Sequence, residues 1–87
     1  MMTSKTVKVG SSVGLHARPA SIIAEKAAEF AEEITLRTPE EEPVDASSMM
    51  LIMTLGAEYG TEVTVESENE EAVAAIAELV AKDLDAE

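Results

Sequence analysis

The sequence predicts an α+β domain, a two-layer open-faced β-sandwich in which three helices cover one face of a four-stranded antiparallel sheet in the order β-α-β-β-α-β-α. Three observations predict it. Three short stretches alternate apolar and polar residues with period two beside a fourth short extended piece, three others read as amphipathic helices, and 87 residues suffice for one modest core. A single domain over residues 1–87 is expected, with no linker and no internal repeat.

Each element follows from its own pattern. "KTVKVG" puts Val7 and Val9 on one face and Thr6 and Lys8 on the other, the signature of a half-buried first strand. Gly10, Ser11, Ser12 and Gly14 break it into a loop. A helix starts near Ala17, with Ala20, Ile23, Ala27 and Phe30 as its apolar stripe. Pro19 fits only in the first turn, where its missing N–H leaves no bond unmade. "EITLRT" alternates again with Ile34 and Leu36 inward, and "TPEEEP" is a turn leading to a short extended piece around Val44. Ser47 or Ser48 then caps a short helix, "MMLIMTL", closed by Gly56. "TEVTVES" is the last strand, with Val63 and Val65 on the core face. The final helix starts from a capping box of Ser67 and Glu70 or from a cap at Asn69, and buries Val73, Ile76, Val80 and Leu84. A right-handed first crossover leaves room for the fourth strand between the first two.

Composition excludes several function classes. The formal charge is −12, from 18 acids and 6 bases, which is the wrong sign for a nucleic-acid backbone. Without cysteine there is neither a disulfide framework nor a thiolate zinc site. The longest apolar run, "MMLIM", is too short for a bilayer, and the N-terminus lacks the basic-then-apolar order of a signal peptide. A cytoplasmic protein without direct membrane insertion is expected. The acidity points either to a basic partner or to a high-salt cytoplasm, and its spread along the chain favours the halophilic reading.

Charge placement is more informative than its sum. Residues 1–24 contain no Asp or Glu, and all 18 acids lie from Glu25 onward. A second stretch, "ASSMMLIMTLGA" from Ala46 to Ala57, has no charge of either sign.

The first of these stretches holds His16, the chain's single histidine, at the N-terminal edge of the first helix. No second His or Cys supports a metal site, and no nucleophile-elbow pattern supports a Ser-His-Asp hydrolase. Helix N-termini carry partial positive charge and favour Asp or Glu in the first turn, yet this acid-rich chain places Arg18 there. The choice makes sense for a visiting anion, on which the free amides of Ala17 and Arg18, the helix dipole and a guanidinium converge. A phosphoryl group fits best. A neutral imidazole can accept it on nitrogen and release it again, with the same donors stabilising the group in transit. His16 then carries and Arg18 holds, with no cofactor required. In the second helix, Met49, Met50, Leu51, Ile52 and Met53 are too many apolar residues for one short helix to bury. Two of the methionines are expected to be core filler, and the remainder to form an adaptable partner-docking patch.

"GLHARPA", from Gly14 to Ala20, followed by "SSMMLIMTLG", resembles the HPr family, the histidine-containing phosphocarriers of the phosphoenolpyruvate-dependent sugar phosphotransferase system. The similarity covers nearly the whole chain. It implies that His16 accepts a phosphoryl group from enzyme I through Nδ1 and donates it to IIA domains of sugar permeases. It also implies that Arg18 is the active-site arginine and that Ser48 falls at the family's regulatory serine, a substrate for a serine kinase. A phosphate there suits the helix dipole but puts charge into the docking patch of Met49, Met50, Leu51 and Met53. A plain N-cap is the other reading of Ser48. Where many relatives carry lysines beside the second helix, this chain has Ser47, Tyr59 and "EEEP", so cognate partners should show a matching shift in charge or rely on apolar contact at high salt. The expectation is a monomeric carrier of phosphoryl groups with no small-molecule substrate of its own. The alternatives are a regulatory paralogue within the family and a small anion- or effector-binding interaction domain outside it.

Overall fold

The computed structural model describes residues 2–84. Its elements run β1 (Thr3–Lys8), α1 (Ala17–Ala27), β2 (Ile34–Arg37), β3 (Val44–Asp45), α2 (Met49–Thr54), β4 (Glu62–Ser67) and α3 (Glu70–Ala81). The four strands form one antiparallel sheet in the order β1-β4-β2-β3, with β4 between the first two strands.

The helices pack on one face of this sheet: α3 lies against β1 and β4, and α1 against α2 and α3. The core between the layers is aliphatic. Ile34 and Leu36 of β2, Val63 and Val65 of β4, Ile23 of α1, Ile52 of α2 and Val73, Ile76 and Val80 of α3 are all buried. The opposite sheet face is polar: Thr6 and Thr64 share a hydrogen bond of 2.8 Å, and Arg37 Nε donates to Glu66 Oε1 at 3.3 Å. On β1 the register puts Lys5 opposite Val65, so an exposed edge strand carries a lysine on the core-side face. Such a charge obstructs pairing with another chain's strand.

Several boundaries differ from the sequence expectation. β1 begins at Thr3, two residues before the alternating stretch, because pairing with the far end of β4 orders a segment with no apolar pattern. α1 ends at Ala27, so Phe30 packs half-buried from the following turn. α3 ends at Ala81, and Leu84 reaches the core from beyond it. Asn69 is the α3 cap: its Oδ1 accepts from the Ala72 N–H, while Ser67 Oγ accepts from the Asn69 N–H. The expectation of two core methionines in α2 fails. Met49, Met50, Leu51 and Met53 are 39, 76, 42 and 42% exposed, and Ile52 alone in the helix is buried. Six residues give α2 fewer than two turns, so a single inward position satisfies its contact with the core.

Candidate functional site

The loop from Gly10 to Leu15 sets the position of His16 through backbone contacts. The Gly14 N–H donates to the Ser11 carbonyl at 2.9 Å, closing a turn, and the Leu15 N–H donates to the Ala57 carbonyl at 2.9 Å. Gly14 has φ +78°, and a Cβ there would lie 2.6 Å from the Ala57 carbonyl oxygen. Only glycine combines this conformation with so close an approach. Leu15 is buried, which pins the residue before the histidine to the core.

His16 is the N-cap of α1, with extended backbone at φ −80° and ψ −168°. Its carbonyl accepts from the Ala20 N–H at 2.9 Å, but its side chain makes no capping bond. The imidazole is exposed and makes no hydrogen bond or ion pair among the described residues. Of the first-turn amides, Ala20 is satisfied by that carbonyl and Pro19 has no N–H, so Ala17 and Arg18 provide the outward-facing donors. No acidic residue occupies the first turn. The Arg18 side chain is exposed and takes part in no ion pair among the described residues. Pro19 and Ala20 are buried, anchoring the helix immediately behind these groups.

His16 borders an open depression of about 300 Å³, whose other walls are Leu15, Met53, Gly56, Ala57 and Glu58. Met53 brings one end of the exposed α2 surface to the histidine. Gly56, Ala57 and Glu58 are neighbours that the sequence reading missed, since the Leu15–Ala57 bond joins segments some forty residues apart. The end of the uncharged stretch at Ala57 was the available signal. Acid-free along the chain, the histidine segment is not acid-free in space, because Glu58 follows Ala57 into the same depression.

Ser48 caps α2, its Oγ accepting from the Leu51 N–H at 3.3 Å, which decides between the two candidate serines. Ser47 belongs to the preceding turn: its N–H and Oγ donate to Asp45 Oδ1 at 2.9 and 2.7 Å. These bonds, the hydroxyl's first, hold the Asp45 carboxyl below its ordinary pKa. Among the described residues no cluster of three His, Cys, Asp or Glu side chains is arranged to hold a metal ion, and no helix is long and apolar enough to cross a membrane.

A family profile described as "PTS HPr component phosphorylation site" matches residues 3–82. The chain belongs to the HPr family. The phosphocarrier protein HPr of Streptomyces coelicolor is 40% identical over 55 residues, which cover 63% of this chain and 59% of that one, less than two thirds of the relative's length. Two solved HPr structures align more fully. That from Bacillus anthracis is 35% identical, covers 91% of this chain and 96% of its own, and gives a TM-score of 0.84. HPr-C-His from Thermoanaerobacter tengcongensis is 32% identical, covers 98% of both chains, and gives 0.86. The open-faced α+β arrangement described above is thus the HPr fold. In this HPr domain, His16 and Met53 of α2 border one depression, and the first amides of α1 follow His16 directly in the chain.

Proposed function

We propose that the chain is a phosphocarrier that accepts a phosphoryl group on His16 from phosphorylated enzyme I and passes it to IIA domains of sugar permeases. The observation that carries this reading is the exposed imidazole at the start of α1, which makes no capping bond, followed in the same turn by the amides of Ala17 and Arg18 and by the Arg18 guanidinium, which takes part in no ion pair among the described residues.

The chemistry follows from those groups. A lone pair on one imidazole nitrogen, Nδ1 in the family, attacks phosphorus as the bond to the donor breaks, leaving an N–P bond on His16. The reverse displacement delivers the group to the next acceptor. Charge on the three equatorial oxygens is largest in transit, and donors already fixed in place lower that barrier without reorganising. Arg18 supplies a charged donor and the helix end supplies amides with the favourable dipole. Docking falls to the apolar surface of Met49, Met50, Leu51 and Met53, which carries no charge to repel or select partners. Cytoplasmic location and a monomeric carrier complete the reading, because the group must shuttle between separate proteins.

Incubation with phosphoenolpyruvate and the cognate enzyme I in high salt, followed by intact-mass measurement, tests it. A single acid-labile phosphoryl gain, absent from His16→Ala, is the expected result. No gain, while enzyme I phosphorylates itself, would leave an anion-binding domain as the better account. For Ser48 the reading is regulatory. Asp is itself a good N-cap, so Ser48→Asp is expected to preserve the thermal midpoint while slowing transfer to a IIA domain. An unchanged transfer rate would return Ser48 to a purely structural role.

A further inference from the structure

We propose that the methionines of α2 form an oxidation site beside His16, at which a peroxide converts thioether to sulfoxide and thereby slows phosphoryl transfer. The inference rests on the phosphocarrier reading for its consequence, though not for its chemistry.

The chain contains five methionines and no cysteine, so no thiol competes for a two-electron oxidant. Three of those methionines stand on one six-residue helix and all three are exposed, Met50 the most at 76%. Nothing in the core requires them there: Ile52 makes the inward contact, and Ser48 holds the helix start. Met53 also walls the depression that His16 borders, so a change at its sulfur occurs at the phosphoryl-accepting site itself.

The step balances without any group from the protein. The sulfur lone pair attacks one peroxide oxygen, the O–O bond breaks, and an S–O bond forms. Sulfur loses two electrons, and the departing hydroxide takes the remaining proton to leave as water. The product is polar and chiral where the thioether was flexible and apolar. On α2 it places a strong acceptor in a contact surface with few donors of its own. At Met53 it also sets an oxygen dipole, negative end outward, against an incoming phosphoryl group.

The test is graded treatment of the intact chain with hydrogen peroxide, peptide mapping of sulfoxides, and measurement of phosphoryl transfer from enzyme I to a IIA domain. Met2, 59% exposed and lying just before β1, is the internal reference. Sulfoxide is expected on Met50 and Met53 at doses that also modify Met2. Transfer is expected to fall about tenfold, the effect of leaving a polar group unpaired in an apolar contact. Each variant is compared with its own untreated form. Met2→Leu should remain peroxide-sensitive, and the combined Met49→Leu, Met50→Leu and Met53→Leu chain should not; the Met53→Leu single variant should lose part of the sensitivity. Circular dichroism of the treated chain separates a surface effect from unfolding, and the single variant keeps the test available if the triple variant folds poorly. Modified α2 methionines with undiminished transfer, equal loss in the triple variant, or oxidation confined to Met2 would each overturn the proposal. A chain that transfers nothing before treatment would instead refute the phosphocarrier reading, while the sulfoxide map would still report whether the site reacts.

Discussion

On the phosphocarrier reading proposed above, Arg18 is costly to the empty protein and useful to the loaded one. A guanidinium in the first turn of α1 opposes the helix dipole, and no carboxylate among the described residues pairs with it. On that reading, a phosphoryl group on His16 would turn the same charge into a favourable donor in the same helix turn. Arg18→Ala should therefore cut transfer by about a hundredfold, the usual effect of removing one preorganised donor, while leaving the unfolding midpoint nearly unchanged. Stopped-flow transfer assays and urea denaturation on the same samples check both halves, and Arg18→Lys should recover only part of the rate because a point charge lacks the planar fork. This much of the site was legible in "LHARPA", since dipole, proline placement and charge all act within one turn. Glu58 was not legible. It joins the depression only because the Leu15 N–H and Ala57 carbonyl meet, and a contact across that much chain leaves no periodicity to read.

The short elements depend on caps and turns more than on their own length. β3 has two residues and α2 six, and Asp45 joins them by taking the Ser47 N–H and hydroxyl while its carbonyl accepts from the Ser48 N–H. Because these bonds depress the folded pKa of Asp45, their contribution is fully present above the ordinary carboxylate range and disappears as pH falls through the lowered value. In Ser47→Ala the hydroxyl bond, the larger cause, is gone. The Asp45 carboxyl should then titrate closer to its ordinary pKa, which NMR chemical shifts of that carboxyl read directly. An unmoved titration would mean that the backbone N–H alone sets it. The long elements were readable from pattern because their stripes face the core: Ile23 in α1, Val73, Ile76 and Val80 in α3, and Val63 and Val65 in β4. Element ends were less so. Phe30 extends the α1 stripe in sequence, yet helical bonding stops with Ala28 as C-cap. The α2 methionines misled for a related reason, since apolar spacing cannot tell a buried face from an exposed apolar one.

Across the whole molecule, charge and burial are segregated. The core is aliphatic, and ion pairs among the described residues include three partly or largely exposed bridges, Lys26–Glu29, Arg37–Glu66 and Lys82–Glu78. Pairs of that kind add little stability, so a formal charge of −12 acts mainly as self-repulsion across the surface. Screening should relieve it: the thermal midpoint is expected to climb as sodium chloride is raised from millimolar to molar, followed by circular dichroism. A flat dependence would remove high salt as the reason for the acidity. The loop that presents His16 also ties the molecule together at its far end. The Gly10 N–H bonds the Val80 carbonyl at 3.0 Å, a Cβ on Gly10 would lie 2.0 Å from the Ala81 carbonyl oxygen, and buried Ser11 donates its hydroxyl to Lys82 and accepts from the Leu84 N–H. For anyone attaching a tag or reporter to this protein, the C-terminal side is therefore not a neutral handle: load applied there is passed to the latch from which the loop that presents His16 hangs.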